Sequence, residues 1–169
     1  MNSPDHLLIQ AHQVICHSTD QDGPAQVAVR MGTIDRVESQ VPDMPVPHLE
    51  FHDAILLPGL IDLHAHPACQ GSIWGVVPDK HMLPFGVTTV MSQGDAGADN
   101  WQDYRDHTIE ASRTRVLMAM NPSKIAESTQ AGCFESLDDI DIARCIAAIN
   151  SGGDRVRAVS VNTSRACCG

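Results

Sequence analysis

Basic residues are scarce in this chain. Eleven lysines and arginines stand against 21 aspartates and glutamates, a formal net charge of −10, and only Lys80 and Lys124 are lysines. An acidic, lysine-poor surface argues against nucleic acid and anionic membranes as partners. No apolar run approaches the roughly 18 residues of a membrane span, and no charged-then-apolar leader precedes a cleavage-like site. The expectation is a soluble, cytoplasmic protein. Solenoid-type repeats are also missing.

Cysteine is present without a pattern. Cys16, Cys69, Cys133, Cys145, Cys167 and Cys168 form no CxxC, and six in 169 residues are too sparse for a disulfide-stapled secreted domain. They are expected to be mostly buried, reduced thiols. The vicinal Cys167–Cys168 pair could be a redox or metal element, or could simply fill space near a strand end.

What is there is the composition of a globular chain, 43% hydrophobic. Residues 7–16 and 26–30 are rich in β-formers. Met31-Gly32 makes a tight turn into Thr33–Val37, so 26–37 reads as a hairpin. A Pro-rich stretch follows (Pro42, Pro45, Pro47), then a short strand over 49–52. Residues 1–54 are thus expected to form a small β-sandwich unit.

From residue 55 the texture changes. Apolar runs near 55–57, 60–66, 86–91, 115–120 and 156–161 are short and nearly continuous, as in parallel strands buried on both faces. Between them, Trp101, Tyr104, Thr108 and Ile109 mark one face of a helix near 101–112. Ser136 is expected to cap a second helix whose apolar face is Leu137, Ile140, Ala143, Ile146 and Ile149 and which ends at Gly152-Gly153. Asp138, Asp139 and Asp141 are explained by its start. Strand and helix alternate as in βαβ units. The fold class is therefore α/β, with residues 55–169 a partial (β/α)8 barrel of four βα units. A complete barrel needs roughly 250 residues, more than the chain has.

His64-Ala65-His66 closes the first strand of this series. Side chains at i and i+2 on a strand share a face, so both imidazoles can reach one cation. Asp62 has the same parity and could hold a histidine or line the site. Pro67 ends the strand, leaving the pair at the carboxyl edge where α/β barrels build their sites. Gly94 and Gly97 could cradle a ligand, and a tight loop explains them equally well. The other histidines lack ligand spacing.

The segment Pro58-Gly59-Leu60-Ile61-Asp62-Leu63-His64-Ala65-His66 resembles the PGxIDxHxH signature of the amidohydrolase superfamily. Gly86-Val87-Thr88-Thr89-Val90 is similar to the GVTTV strand that follows it. The loop Gly94–Asn100, Arg113–Val116 with Asn121, and Ser164-Arg165 resemble the dihydroorotase-like deacetylase branch. The resemblance implies metal-dependent hydrolysis of amide or cyclic amide C–N bonds in a small-molecule substrate. A divalent cation, zinc in the first instance with iron, nickel or manganese open, acidifies a water and polarises the carbonyl. It implies His64 and His66 as metal ligands. Arg165 could contact a substrate carboxylate through a bidentate pair, and a surface arginine near the terminus explains it equally well.

Two departures follow from the same resemblance. Ser160 stands where the branch has a lysine carboxylated to bridge two metals. A serine cannot form that carbamate, so one metal is expected. The family's further histidines and its catalytic aspartate come from later strands, beyond Gly169. An alternative expectation is thus a truncated or degenerate, non-catalytic homologue, acting as an interaction module or an unstable fragment. Two half-barrels could also pair, which makes a homo-oligomer a candidate partner state.

Overall fold

A computed structural model of the chain describes residues 5–42, 45–127 and 133–168. The chain divides into two compact units, Met1–Pro58 and Gly59–Gly169. In the first, β1 (His6–Cys16), β2 (Gln21–Arg30), β3 (Thr33–Glu38) and β4 (His48–Leu56) form one sheet in the order β3-β2-β1-β4. Pairing is antiparallel except between β1 and β4. The β2–β3 turn has positive φ at Met31 (49°) and Gly32 (75°), the geometry that matches strand twist in a two-residue hairpin. β2 starts five residues before the expected strand and passes through Gly23-Pro24. β4 likewise runs on through Ile55 and Leu56, which pair with Gln13 and Val14 of β1.

Both faces of this sheet carry apolar clusters. Ile9, Ala11, Val27 and Val29 share one, and Leu8 and Ala28 belong to the other, as strand alternation requires. Val14 has the wrong parity to join Ala11, yet it does. A register shift between Ala11 and Val14 moves the side chain across.

The second unit is built on β5 (Leu60–Ala65), β6 (Val87–Gln93), β7 (Arg115–Met120) and β8 (Val156–Val159), paired in parallel in that order. The crossovers carry α1 (Pro78–His81), α2 (Trp101–Tyr104) and α3 (Ile142–Gly152), and α4 (Arg165–Cys168) follows β8. α2 continues through residues 105–109 as π-helix, and Trp101, Tyr104, Thr108 and Ile109 are its buried face, as expected. Val90 of β6 and Val116, Met118 and Met120 of β7 pack against these residues.

Two expectations are corrected here. Only β7 is buried along most of its length. β5 and β8 are edge strands, and Leu60, Ile61, Leu63 and Val159 are exposed, Leu63 at 64%. An apolar run identifies a strand that can be buried and does not supply its neighbours. The Ser136 helix is also different. Ser136 and Asp139 form a capping box on the single turn Leu137–Asp139, Ile140 adopts extended backbone, and Asp141 caps α3 by accepting from Arg144 N at 3.0 Å. The start signal therefore occurs twice, and the second one begins the helix. Its buried face is Cys145, Ala148 and Gly152, while Leu137, Ala143 and Ile146 are exposed.

The loops after β6 and β7 are zipped together by backbone bonds from Asn121 N to Ala96 O (2.9 Å), Asp99 N to Lys124 O (2.8 Å) and Glu127 N to Gly94 O (3.2 Å). Gly97 sits in the tightest approach. A Cβ there would lie 1.8 Å from the Ser123 carbonyl oxygen. The loop explanation of this glycine holds, and its missing side chain is matched by backbone. Gly97→Ala is expected to lower unfolding stability by about 3 kcal/mol, the upper range for forcing atoms into a packed site. Urea unfolding measures it, and an unchanged midpoint would contradict this packing.

Candidate functional site

The strand β5 delivers two imidazoles to the carboxyl edge of the parallel sheet. His64 is exposed and His66 half-buried, with ring centroids 6.3 Å apart and planes at 80°. Both line one cavity of about 400 Å³, together with Gln93 at the end of β6, Glu127 after β7, and Ser160 and Asn162 after β8. Residues from all four strand ends thus converge on it, the placement expected for sites in parallel sheets. Ser160 lies in the same cavity as the histidine pair and presents a hydroxyl there.

Asp62 does not contact an imidazole. Its Oδ1 accepts from the backbone N–H of His64 at 2.9 Å, which fixes the strand end rather than a ring. The ring is held by a residue to which sequence reading assigned no role. Asp95 is fully buried, and its Oδ1 lies 2.9 Å from His66 Nδ1 while Oδ2 accepts from Ser92 Oγ at 2.6 Å. With Nδ1 donating to Asp95, Nε2 is the ring nitrogen left with a free lone pair. Asp95 stands inside the Gly94–Asn100 loop quoted for the resemblance, but its meeting with His66 depends on tertiary packing across 29 positions.

Glu127 is the second residue sequence reading missed. Its Oε2 accepts from Asn162 Nδ2 at 3.1 Å, and it follows Ala126, which has φ 63°. A left-handed, non-glycine residue is sterically costly and here turns the chain just before the carboxylate enters the cavity. Arg165 begins α4, is exposed, and is not among the residues lining this cavity, though its neighbour Ser164 is. Of the six cysteines, Cys133, Cys145 and Cys167 are buried, Cys16 is intermediate, and Cys69 and Cys168 are exposed. The expectation of mostly buried thiols therefore holds for half of them. The vicinal pair divides, with Cys168 Sγ directed at Asn162 O at 3.6 Å.

No model of a protein family matches the chain. A curated deacetylase of Agrobacterium fabrum is 27% identical over 118 residues, and one of Brucella anthropi is 26% identical over the same length. Each match covers 69% of this chain and 29% of the relative. Among solved structures, a dihydroorotase superposes on 97% of the chain with a TM-score of 0.86 at 23% identity, and an adenine deaminase on 96% with 0.76 at 24%. The chain covers 44% and 43% of those two. The chain is similar in sequence to these deacetylases and shares the fold of the two solved structures. It spans less than a third of the curated relatives and less than half of these two structures of that fold.

Among the described residues, no helix is long and apolar enough to cross a membrane. The donors in the histidine cavity suit a divalent cation. Two neutral imidazoles, one with its tautomer set by a buried carboxyl group, and a carboxylate are a ligand set that zinc accepts.

The electrostatics of the pair can be measured without metal. The Asp95 hydrogen bond raises the His66 pKa above its ordinary 6.5, opposed by partial burial and helped by the charges of Asp95 and Glu127. A raised histidine pKa stabilises the fold fully below the unfolded value near 6.5, and that contribution disappears as pH rises through the folded value. In the metal-free chain, NMR titration is expected to find the His66 midpoint above 6.5 and Asp95→Asn to lower it. Identical midpoints in the two proteins would contradict the assigned bond.

Proposed function

We propose that this chain carries part of a metal-dependent hydrolase of amide or cyclic amide C–N bonds. In this reading β5 to β8 are the first four strands of a (β/α)8 barrel and the Met1–Pro58 sheet is its small flanking sandwich. The observation that carries the reading is the pair His64 and His66, lining one cavity at a parallel-sheet edge with Nδ1 of His66 held by buried Asp95.

His64 and His66 would hold a divalent cation, zinc by the chemistry of imidazole donors. Such a cation, when bound, supplies Lewis acidity toward a carbonyl and acidifies water. The remaining work belongs to the chain. Asp95 keeps the His66 proton on Nδ1 and the ring fixed. The Asn162 amide orients the Glu127 carboxylate, which offers a negative charge and a proton acceptor inside the cavity. Ser160 contributes a neutral hydroxyl and no carbamate, so the reading assigns one cation to the imidazole pair. Arg165 remains assigned to a substrate carboxylate, reached from α4. The substrate is a small amide, and N-acetyl amino acids are the first class to assay, because the curated relatives are deacetylases.

A second reading is a non-catalytic interaction module. It is favoured by the apolar side chains that β5 leaves exposed, Leu60, Ile61 and Leu63, on a strand with one hydrogen-bonded neighbour. Acetate release from N-acetyl amino acids by the pure chain separates the two readings.

The metal assignment has its own test. After zinc loading and desalting, elemental analysis is expected to find one equivalent less in the His64→Ala, His66→Ala double variant than in the wild-type chain. Equal metal in both would remove these residues as ligands.

A further inference from the structure

The same unit holds a second set of donors, which shares Glu127 with the His64–His66 cavity. A carboxylate oxygen of Glu127 and the thiol sulfurs of Cys133 and Cys167 all lie within 4.8 Å of one another. The two cysteines come from separate segments, 34 positions apart, and are joined at the backbone by Phe134 N donating to Cys167 O at 2.9 Å. Cys133 is 0% exposed and Cys167 5% exposed, whereas the adjacent Cys168 is exposed, its Sγ 3.6 Å from Asn162 O. Both are free thiols.

Three groups that become anionic on deprotonation are an expensive thing to gather in a buried place. Burial first, then the proximity of Cys167 and Glu127, pushes the Cys133 thiol up to about 12. Both sulfurs and the carboxylate can be charged together only if a cation sits among them. Soft thiolates with one oxygen donor select zinc or a similar thiophilic ion over magnesium or calcium. Around zinc, bonds of about 2.3 Å to sulfur and 2.0–2.2 Å to oxygen set neighbouring tetrahedral ligands about 3.3–3.8 Å apart, inside the span these atoms already have.

We propose that Cys133, Cys167 and Glu127 form a second metal site, a Cys2Glu centre for zinc or another thiophilic divalent cation, separate from the imidazole pair. Binding releases the two thiol protons to solvent and leaves a fourth position for water or a protein donor. Its two sulfur ligands lie outside the histidine cavity, and Glu127 is the one side chain the two sets share.

Cobalt(II) added to the reduced, metal-free chain of 169 residues tests this directly. The expected result is an intense sulfur-to-cobalt charge-transfer band in the near ultraviolet. The band should be kept in the His64→Ala, His66→Ala variant and in Cys168→Ser, and lost in the Cys133→Ser, Cys167→Ser variant. Glu127→Gln should retain the thiols and weaken affinity at least about tenfold. Circular dichroism establishes that each variant is folded. If the double cysteine variant does not fold, zinc X-ray absorption on the folded His64→Ala, His66→Ala chain decides the matter, with two sulfur neighbours expected at about 2.3 Å. No band in the folded wild-type chain, a band that survives loss of both cysteines, or absorption data without sulfur would each overturn the proposal. Loss of the band with the histidines would overturn the separateness of the site. Failure of the histidine ligand assignment shows instead in the zinc count of the histidine variant, so the two proposals fail by different measurements.

Discussion

The carboxyl group of Asp95 is buried completely, and the site is organised around satisfying it. A carboxyl group removed from water without partners costs several kcal/mol, so its position dictates what must lie nearby. Ser92 Oγ donates to one oxygen and the His66 ring meets the other. The Asp95 carbonyl is in turn within reach of Asn100 Nδ2, and Asn100 Oδ1 accepts from Gly97 N at 2.8 Å. The loop after β6 is thereby closed on itself, and its ring contact fixes the residue that follows β5. The position of His66 is a consequence of this network more than of its own strand, which ends one residue earlier at Ala65.

That dependence explains which parts of the molecule were legible in the sequence. The β2–β3 hairpin is encoded locally, because two adjacent residues must accept positive φ and Met31-Gly32 does so. β7 is legible because Val116, Met118 and Met120 put one apolar face toward the helices while Leu117 and Ala119 face the other way. The histidine pair is legible because a period of two is a property of any strand. Asp95 and Glu127 are different. A single acidic residue in a Gly-rich loop has no local pattern that distinguishes solvent from a buried ring, and only the pairing of loops brings Asp95 to His66.

The helix after Ser136 shows the same boundary from another side. Its start signals were real, since Ser136 and Asp139 form the reciprocal bonds of a capping box. Local chemistry specified a cap twice within six residues, and Lys124 N donating to Asp139 O at 2.8 Å ties the first turn to the loop after β7. A turn held from outside does not continue into the next one. The tertiary bond, absent from any local pattern, therefore rotated the buried face from Leu137, Ala143 and Ile146 to Cys145 and Ala148.

Glu127 joins the two donor sets. It lines the cavity of His64 and His66, and its oxygen also lies among the sulfurs of Cys133 and Cys167. One carboxylate has two oxygens, and here Asn162 already engages Oε2. It cannot give full charge to both places at once. With Ser160 offering no charge where a carbamate would stand, Glu127 is the acidic side chain among those lining the histidine cavity. A cation held by the cysteines would draw that charge away and leave the imidazole pair with neutral neighbours. The proposed sites are therefore coupled through a single side chain, and filling the sulfur site should weaken rather than assist cation binding at the histidines.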